Sequence, residues 1–244
     1  MRKELYKEKK KIEGNDNIQK TLELLNDEYL KHYGEIKTFD FLNEIMRRSK
    51  PFVEELLNER KRENPNYDKD QARKTIAGNN FQFLVLYLLI LNIERGNLPN
   101  SLIVLKTKKH KIIDEYATIK VANETQKPDL DLIAFSENKN KPIVIYSCKT
   151  SLRERAGQTY RWKLLVDITK YCPALVEKYK LEYPEKRKVL TGFITTNFYD
   201  EIMQPQQKGM LEFFDYSYIA KNIKVQPPIK KLSSIIDDLN NIFD

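Results

Sequence analysis

The sequence predicts an α/β protein, a mixed β-sheet covered by helices, with a helical region at its N-terminal end. Three observations carry that expectation. The first 70 or so residues show helical apolar spacing. A long apolar helix over 78–95 precedes four strand-like segments. Long helical and short β-branched segments then alternate to residue 244, the order of an α/β layer architecture.

The elements follow in turn. In "NIQKTLELLNDEYLKHY", Ile18, Leu22, Leu25 and Tyr29 recur at three- and four-residue intervals, one helix face. "TFDFLNEIMRRSKPFVEELLNERKREN" continues the pattern, and Pro51 suits the first turn of a new helix. The polar "KRENPNYDKDQ" reads as a surface connector. "GNNFQFLVLYLLILNIER" is too long for one strand, so a buried helix ending near Gly96 and Pro99 is expected. "SLIVLKTKK" and "YATIKVA" read as strands. "DLDLIAF" and "KPIVIYSCK" read as two more, joined by the turn-rich "SENKNK" into a hairpin turning near 137–140. A helix over "QTYRWKLLVDITKYCPALVEKYKLEY", bent at Pro173, follows. "KVLTGFITTN" and "LEFFDYSYIA" are strands, and "PPIKKLSSIIDDLNNIF" is a closing amphipathic helix. The economical count is one domain over 1–244, with a helical lobe at 1–70 and a core at 71–244.

Composition narrows the function classes. With 11% aromatic residues the chain is no disordered segment, despite 32% charged residues. A net charge of +8 favours a polyanionic partner, nucleic acid before membrane. Two cysteines and two histidines exclude a disulfide scaffold and a zinc site of ordinary spacing. The charged start and an apolar stretch too short for a bilayer lead to the expectation of a soluble intracellular protein with no membrane partner. No GxxxxGK[ST] or GxSxG sequence is present, which argues against an ATP-driven motor and acyl transfer.

The chemistry gathers on the hairpin. Residues two apart in a strand share a face, so Asp129 pairs with Asp131 on one strand and Ser147 with Lys149 on the other. The hairpin would bring two carboxylates, a hydroxyl and an ammonium to one sheet end. Such carboxylates bind a hard cation such as Mg²⁺ and leave positions for water and phosphate. The backbone carbonyl of Cys148 is an additional candidate ligand, and the lysine suits an attacking water or a phosphate oxygen. The basic "YKEKKKIE" and "LKTKKHK" runs suit phosphate contacts, or ordinary solvated faces.

"PD", some twenty residues, then "SCK" resembles the PD-(D/E)xK nuclease core. The continuation "KTSLRER" resembles type II restriction endonucleases of the CCGG and CCNGG group, including the BsaWI-like enzymes. "RKTIAGNNFQ" is similar to the helix start those enzymes place ahead of their catalytic strands. The resemblance implies a restriction-endonuclease-like fold and a Mg²⁺-dependent site-specific deoxyribonuclease cutting double-stranded DNA at a short palindromic G·C-containing site. It implies Asp129 as metal ligand, Lys149 as catalytic lysine, and Arg153, Glu154 and Arg155 as base readers. Arginine donates two bonds to guanine, and a carboxylate accepts from cytosine N4–H.

The resemblance further implies a homodimer or tetramer, a separate cognate DNA methyltransferase, and work in a prokaryotic cytoplasm. Ser147 stands where the motif has its acid. The glutamate that related enzymes recruit from the next helix would fall at Trp162 or Lys163, and another frequent glutamate falls at Gln82. Asp131 is then the first candidate for the second carboxylate, with Asp167 and Glu124 after it; Asp131 is also a candidate for principal ligand. The rival readings are a repair or structure-specific nuclease on the same core and a catalytically inactive DNA-binding module.

Overall fold

A computed structural model describes residues 3–151, 156–184, 186–198, 202 and 204–244. Its N-terminal region is helical: α1 (Lys3–Glu13), α2 (Gln19–Leu24), a π-helical turn (Leu25–Leu30), α3 (Lys31–Lys37), α4 (Leu42–Arg48) and α5 (Lys50–Glu63). There follow α6 (Lys69–Glu94), β1 (Leu102–Leu105), α7 (Lys111–Tyr116), β2 (Ile119–Val121) and β3 (Glu124–Gln126). The core continues with β4 (Leu132–Ser136), β5 (Ile143–Lys149), α8 (Ala156–Tyr171), α9 (Pro173–Tyr179), β6 (Leu181–Glu182) and β7 (Val189–Thr195). The last elements are α10 (Pro205–Leu211), β8 (Tyr216–Ile219), β9 (Ile229–Lys231) and α11 (Ile235–Phe243).

A six-stranded sheet of order β1-β4-β5-β7-β8-β9 forms the centre. The β1–β4 and β4–β5 pairs are antiparallel, and β5, β7, β8 and β9 run parallel. The mixed sheet of the sequence reading is therefore present. Alternation sorts its side chains: Val144, Tyr146 and Cys148 of β5 enter the core built with α6 and the N-terminal helices. Ile143 and Ile145 face the opposite core, where Trp162 and Val166 of α8 pack. A strand covered on both faces must read as a continuous apolar run, which is why "KPIVIYSCK" looks as it does.

The α6 helix begins earlier than the apolar pattern, because Asp68 caps it by accepting the Gln71 N–H at 3.0 Å. It is long and apolar enough to cross a bilayer, yet 67% of its apolar window is buried within the protein. The α8–α9 break falls at Cys172, since the residue before proline is held out of the helical region and Pro173 opens the next helix. Several short elements depart from the sequence expectation. β3 and α10 are additional to it. Leu181–Glu182, expected at the end of the long helix, pairs with β2 as a strand, because the helix stops at Tyr179 with Lys180 left-handed. "YATIKVA" contributes only Ile119–Val121 as strand, because His110 Nδ1 accepts the Ile112 N–H and starts a helix that absorbs Tyr116. Ile229–Lys231, expected as the approach to the last helix, pairs with β8 as an edge strand.

Two contacts set the hairpin geometry. Tyr146 lies opposite Gly192 of β7, where an added Cβ would sit 2.2 Å from the ring. Buried Arg187 donates to the carbonyls of Lys141 (2.6 Å), Ser136 (2.7 Å) and Asn138 (3.3 Å), closing the β4–β5 turn.

Candidate active site

The hairpin register pairs Leu132 with Tyr146, Ile133 with Ile145 and Ala134 with Val144. Continued toward the open end, it sets Asp131 across from Ser147 and Asp129 across from Lys149. The regular strand stops at Leu132, but Asp131 still donates its N–H to the Tyr146 carbonyl at 2.8 Å. The next amide of β5, on Cys148, then has no backbone acceptor there. The Asp131 carboxylate replaces it, with Oδ2 accepting the Cys148 N–H at 2.9 Å. In extended backbone, N–H and C=O of one residue point to the same side, so the Cys148 carbonyl faces this carboxylate edge as well.

Lys149 Nζ donates to Asp131 Oδ2 at 2.8 Å and to Asp129 Oδ2 at 3.3 Å. The three side chains are 12%, 7% and 23% exposed respectively, so the cluster is sheltered but opens on the Asp129 side. The remaining Asp129 oxygen accepts Lys108 Nζ at 2.6 Å. Burial alone would push the Asp129 carboxyl up, but the ammoniums of Lys108 and Lys149 outweigh it and hold it below its usual range. Burial likewise pulls Lys149 down, and the Asp131 and Asp129 carboxylates more than reverse that, leaving the ammonium more firmly protonated.

A third lysine approaches from β1. Lys106 Nζ donates to Asn79 Oδ1 of α6 at 2.8 Å and lies 3.9 Å from the centre of the Phe83 ring. Its burial draws the ammonium below its usual value, against the pull of Asp131. Two carboxylates thus meet three ammoniums, a surplus of positive charge that suits a phosphodiester. An open cleft beside the cluster is lined by Gln126, Lys127, Pro128 and Asp129, and by Arg161, Trp162 and Leu165.

The structure brings together Asp129, Asp131, Lys149 and the Cys148 backbone, all expected from the sequence. Ser147 is buried and pairs with Phe193 of β7. Asp167 is bonded to Lys163 one turn away, at 2.9 Å, and Glu124 is exposed on β3 of the second sheet, which has the order β3-β2-β6. Among the described residues neither shows a hydrogen bond or ion pair with the cluster, whereas Asp131 shares the Lys149 ammonium with Asp129. Trp162 packs in the core beneath α8, and Gln82 is half-buried on α6. Arg153, Glu154 and Arg155 lie outside the described residues. The site residues not singled out individually from the sequence are Lys106, Lys108 and Asn79. The "LKTKKHK" run held the signal for the two lysines, and "RKTIAGNNFQ" contains Asn79.

The sequence matches the family described as "BsaWI restriction endonuclease type 2" over residues 105–244. No curated protein matches the chain. Among solved structures, the chain is similar to one titled "Restriction endonuclease PspGI-substrate DNA complex", at 15% identity and a TM-score of 0.55. That likeness covers 98% of this chain and 92% of the other, and shows a shared fold. The family match spans 140 of 244 residues and includes the whole β4–β5 hairpin on which the carboxylates and Lys149 meet. The chain accordingly belongs to the BsaWI family of type II restriction endonucleases, and is a site-specific deoxyribonuclease.

Proposed function

We propose that the enzyme is Mg²⁺-dependent and cuts both strands of DNA at a short palindromic site containing G·C pairs. The carrying observation is the single ammonium of Lys149 shared between Asp129 and Asp131, at 3.3 and 2.8 Å, at the sheltered end of the hairpin. The residues present fit the ion. Mg²⁺ needs only one or two carboxylates when waters and substrate phosphate complete its shell. Asp129 and Asp131 would hold it, with the Cys148 carbonyl on the same edge.

When bound, Mg²⁺ acidifies the attacking water and stabilises charge on the phosphoryl oxygens. The chain does the remainder. The Cys148 N–H fixes the Asp131 carboxylate, so its position does not depend on the ion. Lys149, kept protonated by its two partners, orients a water or a non-bridging phosphate oxygen for in-line attack. The surrounding lysines compensate the incoming backbone charge.

Arg153, Glu154 and Arg155, four to six residues after Lys149 in the sequence, would read the base edges, so that recognition and cleavage are tied together along the chain. Support for duplex DNA as substrate comes from the family and from the PspGI complex, which holds substrate DNA. Cutting a palindrome on both strands calls for a two-fold dimer, or a tetramer built from one. A separate methyltransferase in the same prokaryotic cytoplasm would protect the host genome.

One observation favours a second reading, an inactive DNA-binding module: Ser147, buried in β5, stands where the motif has its acid. Incubating a mixed-sequence plasmid with purified protein and Mg²⁺, then sequencing the ends, separates the readings. Discrete fragments with uniform ends support restriction. A smear points to a non-specific or repair nuclease, and intact DNA that is nevertheless bound supports the inactive module.

A further inference from the structure

Asp129 has two lysine partners of different character. Lys149 is 12% exposed and is also tied to Asp131, whereas Lys108 is 61% exposed and, among the described residues, bonds Asp129 alone. The backbone around Lys108 is pinned on its C-terminal side. Thr107 Oγ1 accepts the Lys109 N–H at 3.0 Å, and His110 Nδ1 accepts the Ile112 N–H at 3.2 Å. The His110 ring also packs 5.1 Å from that of Phe135. Movement at this point is therefore movement of the Lys108 side chain, a flexible four-carbon stem.

A divalent cation joining Asp129 would meet the Lys108 ammonium on the same carboxylate, two like charges within a few ångströms. Lys149 cannot leave without stranding buried Asp131, but Lys108 can leave at little cost, because its ion pair is exposed. We propose that Lys108 is an exchangeable counter-ion: it neutralises Asp129 in the free enzyme, and it releases the carboxylate to take a phosphodiester oxygen when cation and DNA arrive. Lys108 is then a positioning residue that couples occupancy of the metal position to grip on the DNA backbone. The inference rests on the metal role proposed for Asp129.

The test uses Mn²⁺ as probe, with Lys108→Met, Lys108→Arg and Asp129→Ala beside the wild type. Without DNA, Lys108→Met should bind Mn²⁺ about two- to fivefold more tightly, the size of an exposed ion pair lost as competitor, and Lys108→Arg should bind like wild type. Duplex binding measured in Ca²⁺ over a salt series should show the slope of log K against log salt reduced by about 1 in Lys108→Met, one phosphate contact fewer. Unchanged or weaker Mn²⁺ binding, or an unchanged slope, overturns the exchange. Lys108 is exposed, so a melting curve matching wild type is expected and confirms that the variants are folded. If Asp129→Ala leaves Mn²⁺ affinity unaltered, the metal role itself fails. If Asp129→Ala abolishes Mn²⁺ binding while Lys108→Met changes nothing, only the exchange fails.

Discussion

Lys149 and Asp131 are joined at 2.8 Å across the open end of the hairpin, on a carboxylate oxygen that also accepts the Cys148 amide. Removing either partner therefore strands a buried charge as well as altering the chemistry. Lys149→Ala should abolish Mg²⁺-dependent cleavage while duplex binding in Ca²⁺ persists. Asp129→Ala and Asp131→Ala should each reduce cleavage by at least about a hundredfold, since each removes a proposed metal carboxylate. Asp167→Ala and Glu124→Ala, outside the cluster, should cleave like wild type. Cleavage assays on the five variants decide this, and full activity in both Asp129→Ala and Asp131→Ala would remove the cluster from the mechanism.

The same ion pairs predict how stability varies with pH. Asp129 titrates below its usual range when folded, so an unfolded chain takes up that proton first, at about pH 3.9. Its stabilisation is present above about pH 4 and is lost as pH falls through the lowered folded value. Lys149 is shifted upward, so its stabilisation is full below about pH 10.4 and is lost as pH rises through the raised folded value. Urea melts across pH should show a shallower acid limb in Asp129→Asn and a shallower alkaline limb in Lys149→Met. Limbs parallel to wild type would mean that these groups are not coupled in the folded state.

The parts of the site legible in the sequence are those that lie close along the chain. Asp129 and Lys149 are twenty residues apart, and a hairpin is the simplest connection that closes such a gap. Alternation then predicts which neighbours share a face, and Asp131, picked that way, is bonded to Lys149 in the fold. Lys106 and Lys108 could not be placed that way. Their approach depends on β1 pairing with β4, Leu105 opposite Ile133, and a pairing across 28 residues leaves no local pattern. Arg187 was hidden for the same reason, since its acceptors lie 46–51 residues away. The missed α7 and β9 are short elements, set by a histidine cap and by a neighbouring strand, where periodicity carries almost no information.

Gly192 tests the packing behind β5. Tyr146 lies directly across from it on β5, two residues before Cys148, with its ring over the glycine Cα. A Cβ at 2.2 Å cannot be accommodated by the ring alone, because Tyr146 is fully buried and both strands are hydrogen-bonded. Gly192→Ala should cost about 1–3 kcal/mol, the range for overpacked cores. Paired with Tyr146→Leu, which opens the space, the alanine should cost less than it does alone. Additive losses in urea melts would show that the ring is not what excludes the side chain.

Arg187 tests whether the hairpin turn holds the site in register from its far end. Its guanidinium is buried and satisfies three turn carbonyls, those of Ser136, Asn138 and Lys141. Lysine cannot span them, because a single ammonium lacks the planar fork that reaches several acceptors at once. Arg187→Ala takes the guanidinium donor from the buried Ser136 carbonyl and from those of Lys141 and Asn138, and should cost about 1–3 kcal/mol, with Arg187→Lys recovering only part of that. The turn fixes which residue of β4 faces which of β5, so a loosened turn also loosens Asp129 and Asp131 against Lys149. Cleavage should therefore fall in Arg187→Ala under conditions where the variant is still fully folded by circular dichroism. Activity equal to wild type under those conditions would confine Arg187 to stability.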